Sequence, residues 1–206
     1  MKPLFVLIMA ASAAFSQYKV EPAGPPPSEL PAAISAKLQK DGLKVTKGGA
    51  PYLDVWLCSA APSGPKNTED GVTLPTIPQG ALVGAVRFPV LGGERRGQPI
   101  KPGLYTLRYS LHPVNGDHQG VATQRDFFLL SPAAGDTNAA ATPNFEELVA
   151  MSRKASGTPH PAVLSVSSSS NTTFPEIKKE GDTDWVLHAK LGGTPIGLIV
   201  VGVMEH

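Results

Sequence analysis

The sequence predicts a mainly β protein, built as an antiparallel β-sandwich or an open barrel, with one amphipathic helix and a short N-terminal helix. Short runs of β-branched, aromatic and leucine residues alternate with clusters of Gly, Pro, Asn and Asp, which is typical of antiparallel strands joined by turns. The chain also holds 21 glycines and 21 prolines, which favour many turns. Only one long stretch carries a clear helical period.

The N-terminal residues 1–16 have the order of a cleavable secretory signal. Lys2 precedes an apolar run at residues 4–11, and small residues follow that run. A cut after Ala13 or after Ser16 fits the small side chains that precede a scissile bond, and the second cut is preferred. The apolar run is far shorter than the roughly 20 residues that span a bilayer. The sequence therefore predicts a periplasmic or secreted protein without an integral membrane segment after cleavage.

A flexible, proline-rich lead-in is predicted for residues 17–31, ahead of a single β-rich domain at residues 32–206. Proline lacks a backbone N–H and has a fixed φ, so the EPAGPPP sequence at residues 21–27 predicts an extended tether outside any sheet. Ser28 is the predicted cap of the short helix that follows, and Gly42 is its predicted stop.

The strands are predicted from the period of their apolar residues. In the run at residues 104–111, Tyr105 and Tyr109 share one face while Arg108 lies on the other, so one face is buried and the opposite face is partly polar. The last strand is apolar on both faces, which predicts a central position in the sheet. The predicted strands cover residues 43–46, 52–58, 81–88, 104–111, 126–130 and 163–167, with a closing hairpin of residues 185–191 and 196–204.

The helical period at residues 142–155 predicts one amphipathic helix that lies on the sheet. Thr142 and Pro143 are the expected cap and first-turn pair, and Gly157 ends the helix. Acidic residues near its start and basic residues near its end suit the helix dipole. The buried stripe is expected to consist of Phe145, Leu148, Val149 and Ser152.

The net charge of the chain limits its classes of partner, and its cysteine content limits its disulfide bonds. Removal of Lys2 with the signal reduces the basic residues from 18 to 17, which balances the 17 acidic residues. A near-neutral chain argues against nucleic acid or an anionic membrane as the main partner. The single cysteine, Cys58, cannot form an internal disulfide; it lies in an apolar strand and is expected to be buried, with a free thiol as the alternative.

The turn at residues 112–120 carries the tightest group of candidate metal ligands. His112, Asp117 and His118 offer imidazole and carboxylate groups that suit zinc or another divalent ion, and His160 or His188 is a candidate ligand from farther along the chain. The spacing matches no zinc signature with a fixed geometry. The alternative is a plain hairpin whose Asn and Asp side chains bond their own backbone. No other cofactor is predicted.

Two arginines interrupt apolar strands on either side of this turn. Arg108 and Arg125 are expected either to pair with a carboxylate such as Asp117 or Asp126, or to line a concave face with His118. Such a face would hold an acidic or sugar-like ligand. The chain has no Gly-x-Ser-x-Gly element, so nothing indicates a serine hydrolase of that type.

The middle of the chain resembles an uncharacterised group of exported bacterial proteins. The resemblance is carried by IKPGLYTLRY at residues 100–109, GDHQGV at 116–121, RDFFLL at 125–130, FEELVAMSRKASG at 145–157 and the His-Pro pair at 160–161. It implies a bacterial, extracytoplasmic setting and no particular activity.

The function predicted first is that of a non-catalytic exported module, which binds a small ligand or an envelope protein or serves the envelope structurally. The alternative is a metal-binding protein or a metal-dependent enzyme that uses His112, Asp117, His118 and His160. A concave polar face at the two arginines would favour the first prediction, and convergence of these ligands on one point would favour the second.

Overall fold

A computed structural model describes residues 18–113 and 125–203 and confirms the mainly β prediction. Ten strands form one antiparallel sheet that is nearly closed into a barrel, and the described chain also has two α-helices. The elements are β1 (Tyr18–Gly24), α1 (Ala32–Ser35), β2 (Gly42–Lys47), β3 (Ala50–Leu57), β4 (Leu82–Phe88), β5 (Gly92–Gly93), β6 (Pro99–Ile100), β7 (Gly103–Leu111), β8 (Asp126–Pro132), a short 3₁₀ helix (Ala133–Gly135), α2 (Phe145–Ser156), β9 (Val163–Ser168), β10 (Glu176–Glu180), β11 (Asp184–Leu191) and β12 (Thr194–Val201).

The strands follow the order β1-β2-β3-β4-β7-β8-β9-β12-β11-β10, and β5 and β6 form a separate small hairpin. Curling brings the two ends of the sheet together: the ring of Tyr18 in β1 lies 4.9 Å from that of Trp185 in β11. The Tyr52 hydroxyl of β3 donates to the Val200 carbonyl of β12 at 3.4 Å. The interior is therefore filled by side chains from both ends of the sheet.

The predicted tether is wrong for its first part, because residues Tyr18–Gly24 form β1 and pair with β2. Proline is tolerated in a strand at the edge of a sheet, where one row of N–H groups has no partner strand. β1 occupies that edge, and Pro22 lies opposite Leu43 in its ladder. The Trp56 indole N–H donates to the Gly24 carbonyl at 2.9 Å and fixes the end of the strand. The folded domain thus starts before residue 32.

The short N-terminal helix is present, although it covers only four residues, Ala32–Ser35. Ser28 does not cap it: the N-cap residue is Pro31, and no side chain caps the helix. Proline is well suited to a helix start because its missing N–H has no intrahelical partner there. The Ser28 hydroxyl instead donates to the Glu29 carboxylate at 3.4 Å.

Helix α2 confirms the predicted amphipathic helix but not its predicted cap. Asn144, and not Thr142, is the N-cap residue, and it forms a reciprocal capping box with Glu147. Gly157 ends the helix in the left-handed conformation, with φ of 70°. The predicted stripe faces the outer surface of β8, where Leu148 packs with Phe127, Leu129 and Val163 in a second, smaller core.

The two faces of β7 are both buried, which the expectation of a partly polar face did not capture. Tyr105, Leu107 and Tyr109 belong to the main core. The opposite face, with Thr106, Arg108 and Ser110, is also fully buried. It lies under the segment between β8 and α2, whose backbone accepts hydrogen bonds from Arg108. This covered outer face positions the candidate sites.

Other predictions from the sequence are confirmed. Cys58 is buried, with 4% of its surface exposed, and β12 lies between β9 and β11, in the interior of the sheet. The charged strand β10 was not predicted, because its EIKKE sequence lacks an apolar alternation. Within the part of the chain that the structure describes, no helix combines the length and apolarity needed to cross a membrane.

The capping box gives a direct test of the fold near α2. Asn144→Ala is expected to lower the free energy of unfolding by about 1 kcal/mol, because the Glu147 N–H loses its acceptor. Thr142→Ala is the matched control and should change it by less than about 0.5 kcal/mol, as expected for an exposed residue without a cap contact. Urea denaturation measures both values. A larger loss for Thr142→Ala than for Asn144→Ala would contradict this assignment of the cap.

Candidate functional site

Arg108 is the centre of the buried polar face, and its side chain is fully enclosed. Its Nε and Nη2 atoms donate to the two carboxylate oxygens of Asp136 at 2.6 and 2.7 Å. Nη2 also donates to the Asn138 carbonyl at 2.8 Å. Nη1 donates to the carbonyls of Gly80 and Ala141 at 2.8 and 2.6 Å. Each of the five N–H groups of a guanidinium therefore has an acceptor within the protein.

This geometry gives Arg108 a structural role and leaves it no donor for a ligand. Its partner is Asp136, which lies 28 residues away in sequence, and not the expected Asp126; the other expected partner, Asp117, lies outside the described residues. Thr106 also donates its hydroxyl to the Asp136 carboxylate. Arg108, its bidentate partner Asp136 and the three carbonyl acceptors form a buried set of hydrogen bonds with a defined geometry. We call this set the clamp.

A cavity of about 390 Å³ lies beside this clamp, between residues 58–63, 78–82 and 139–142. We call it the clamped cavity. Arg108 donates to the carbonyl of Gly80, which lies between the lining residues Pro78 and Ala81, and to the carbonyl of the lining residue Ala141, so one guanidinium ties these two segments together. Gly80 has a φ of 77°, and a Cβ there would clash with the backbone of Pro143. Only glycine fits at position 80.

The lining of the clamped cavity is mostly apolar, and Lys37 is its single charged side chain among the described residues. Cys58 contributes to the lining and donates its thiol to the Leu82 carbonyl at 3.5 Å. Burial raises the pKa of Cys58 to about 11, although the charges of Lys37 and Arg108 act in the opposite direction. The thiol therefore stays protonated near neutral pH and is a poor nucleophile. The other lining residues are Ser59, Ala60, Ala61, Pro62, Ser63, Pro78, Ala81, Leu82, Ala139, Ala140, Ala141 and Thr142.

Arg125 lies at the end of β8 and is not part of the clamp. Its Nη1 atom lies 2.6 Å from the Glu69 carboxylate, and its Nε donates to the His112 carbonyl at 2.9 Å. The hydrogen bond from Arg125 lowers the pKa of Glu69. Arg125 therefore joins the segment before β4 to the β7–β8 pair, and it does not pair with the expected Asp126.

Asp126 has a separate buried network that the sequence did not reveal. Its carboxylate accepts the Thr73 backbone N–H at 2.8 Å, the Thr73 hydroxyl at 3.1 Å and the Leu74 backbone N–H at 3.0 Å. The Tyr109 hydroxyl donates to the same group at 2.6 Å. Burial raises the pKa of Tyr109, and the bond to Asp126 adds to that shift. The network fastens the segment between β3 and β4 to the sheet.

Two of the predicted metal ligands, His112 and His160, line one cavity of about 210 Å³ at the edge of α2. We call it the helix cavity. The His112 ring packs on Phe127 with 4.3 Å between ring centroids. Asp117 and His118 lie outside the described residues. Across residues 18–113 and 125–203, no group of three or more His, Cys, Asp or Glu side chains is arranged to hold a metal ion.

His188 lies elsewhere, on β11, and has its own polar partners. Its Nδ1 is 2.8 Å from the Ser169 hydroxyl oxygen, and its Nε2 is 2.8 Å from a Glu180 carboxylate oxygen. That second contact is close but poorly aligned for a hydrogen bond, since Nε2 has no partner of good geometry among the described residues. The Ser169 oxygen also accepts the Asn171 backbone N–H at 3.1 Å. These contacts hold the turn after β9 against the sheet.

Comparison of the chain with protein-family models, curated proteins and solved structures gives no match in any of the three.

The clamp can be tested through stability. Asp136→Ala is expected to lower the free energy of unfolding by about 3–5 kcal/mol, because it leaves the buried Arg108 guanidinium without its counter-charge. Urea denaturation followed by circular dichroism measures this change. Glu69→Ala is a suitable control, since it removes an exposed carboxylate partner of Arg125 and should leave the unfolding midpoint close to that of the parent protein. Similar losses in the two variants would show that Asp136 has no special role.

Proposed function

We propose that this protein is an exported, non-catalytic binding module that takes a small aliphatic acid in the clamped cavity. The observation that carries this proposal is the combination of an apolar cavity of about 390 Å³ with a single ammonium group, that of Lys37, in its lining. Export is supported by the signal-like order of residues 1–16 and by the resemblance to exported bacterial proteins.

The size and the stiffness of the clamped cavity suit a small ligand. Its volume falls within the range of about 300–1,000 Å³ that is typical of ligand pockets. The bonds from Arg108 to Gly80 and Ala141 hold in place two chain segments whose neighbouring residues line the cavity, before any ligand arrives. A preformed cavity avoids part of the entropic cost of ordering loops on binding. The clamp thus supports binding without itself touching the ligand.

The charge of the cavity favours an anionic group. In the described part of the chain, no carboxylate pairs with Lys37 and no Asp or Glu side chain lines the cavity. The Arg108 charge is already compensated by Asp136. Hydroxyl groups of Ser59, Ser63 and Thr142 add polar atoms to a lining that is otherwise made of alanine, proline and leucine. An alkyl chain with one carboxylate matches this lining.

A catalytic role for the clamped cavity has less support than binding. Its one thiol, Cys58, is held in the protonated form by burial. A metal-dependent activity also has less support, because Arg96 and Arg153 line the helix cavity together with the two histidines. The Arg153 guanidinium has no carboxylate partner among the described residues, and its positive charge repels a divalent cation.

Isothermal titration calorimetry of the full chain with octanoate tests the proposal. Octanoate is expected to bind about tenfold more tightly than octanamide, because only the carboxylate gains a charge-assisted contact with Lys37. Lys37→Gln should abolish this preference. Lys40→Gln is the matched control, since Lys40 is exposed, lies on the same segment and does not line the cavity.

A second variant tests the position of the ligand. Ala140→Phe places a large side chain at an exposed residue of the cavity lining and should prevent octanoate binding while the protein stays folded. Equal affinities for octanoate and octanamide would contradict the proposed ligand class. Unchanged octanoate binding by Ala140→Phe would place the ligand outside the clamped cavity.

A further inference from the structure

The helix cavity combines an apolar floor with a basic rim. Its floor comes from side chains of the second core, among them Phe127 of β8 and Val149 of α2. The volume of about 210 Å³ is below the range of about 300–1,000 Å³ typical of whole ligands, so it fits one ring-sized group. The floor consists of Phe127, Phe145, Val149 and Val163, and the rim of Arg96, His112, Arg153 and His160.

Both arginines of the rim are positioned by the protein and retain free donors. Arg153 uses Nε to donate to the Pro159 carbonyl at 2.7 Å, which leaves both of its Nη atoms without a partner among the described residues. Arg96 donates through Nε to both oxygens of Glu94 at 3.0 Å and through Nη2 to the Pro161 carbonyl at 3.2 Å. Its Nη1 has no described partner. Two anchored guanidiniums with free N–H groups form a receptor for a carboxylate.

No acidic side chain among the described residues lines the helix cavity. The nearby carboxylate of Glu94 is almost fully buried and is bound to Arg96 with a closest distance of 2.8 Å. Burial raises the pKa of Glu94, while the hydrogen bond from Arg96 opposes that shift. The cavity therefore has an uncompensated positive charge at Arg153, which favours an anion over the metal ion that His112 and His160 first suggested.

The aromatic side chains of the lining favour a ligand whose uncharged part is an aromatic ring. Phe127 and Phe145 both line the cavity, and the His112 ring covers Phe127 with 4.3 Å between the ring centroids, so His112 and Phe145 are the half-buried aromatic rings of the lining. Aromatic rings pack well on such surfaces in offset or edge-on arrangements. We propose that the helix cavity is a second binding site, independent of the clamped cavity, that takes a small aromatic carboxylate with its ring against His112 and Phe145 and its carboxylate at Arg153 and Arg96.

Calorimetric titration of the full chain with phenylacetate, with phenylacetamide as the neutral analogue, tests this proposal. Phenylacetate should bind about tenfold more tightly than the amide. Arg153→Gln should remove that difference, since Arg153 supplies the free donors. Lys154→Gln is the matched control: it removes the same charge from the next residue of α2 and does not line the cavity.

Two further arms locate the ligand and keep the result separate from that of the clamped cavity. Val149→Phe should fill the helix cavity and prevent phenylacetate binding, with thermal melting as the check on folding. Ala140→Phe should leave phenylacetate binding unchanged, because Ala140 lines only the clamped cavity. Equal affinity for the amide, equal effects of Arg153→Gln and Lys154→Gln, or displacement of phenylacetate by zinc would overturn the proposal.

Discussion

The buried ion pair between Arg108 and Asp136 is the constraint on which the outer layer of this protein depends. An arginine in the middle of a strand is costly to bury unless its charge is paired and each N–H finds an acceptor. Here the segment after β8 supplies Asp136 and two carbonyls, and the segment before β4 supplies the Gly80 carbonyl. The requirements of one side chain thus determine where two irregular segments lie against the sheet.

The two proposed binding sites lie where the sheet meets the segments that cover it. The clamped cavity is bordered by residues 139–142, which include the Arg108 partner Ala141, and the helix cavity by α2, which starts only a few residues later. The capping box at Asn144 and the left-handed Gly157 fix both ends of that helix. The cap and the end of α2 position the helix cavity, and the long-range ion pair positions the clamped cavity.

Most of the fold follows from local patterns in the sequence, and the departures have physical reasons. The period of the apolar residues, and the Gly, Pro, Asn and Asp residues between the periodic runs, predict helix α2 and most of the strands. These strands are β2, β3, β4, β7, β8, β9, β11 and β12. β1 was missed because its prolines suggest a tether, whereas the edge of the sheet tolerates them. The expected cap at Thr142 failed because Asn144, two residues later, forms the complete capping box.

The candidate sites can be predicted only in part from the sequence. Arg108 was recognised as unusual, but its partner could not be, because Asp136 lies in a loop and no local spacing connects the two residues. A Gly-Asp-Thr-Asn sequence between a strand and a helix was the one available sign of a structured loop. His112 and His160 were both singled out and do share a cavity, yet the arginines beside them, which change its chemistry, come from two other segments.

Hydrogen–deuterium exchange on the double variant Arg108→Met, Asp136→Leu tests whether the ion pair between these residues holds the two covering segments against the sheet. Replacement of both charges by apolar groups of similar size avoids an unpaired buried charge, so the sheet should remain folded. Backbone amides in residues 79–82 and 139–142 are expected to exchange faster than in the parent protein, while those in β7 and β11 stay protected. Unchanged protection of both wall segments in the folded double variant would contradict the claim that Arg108 holds the walls of the clamped cavity.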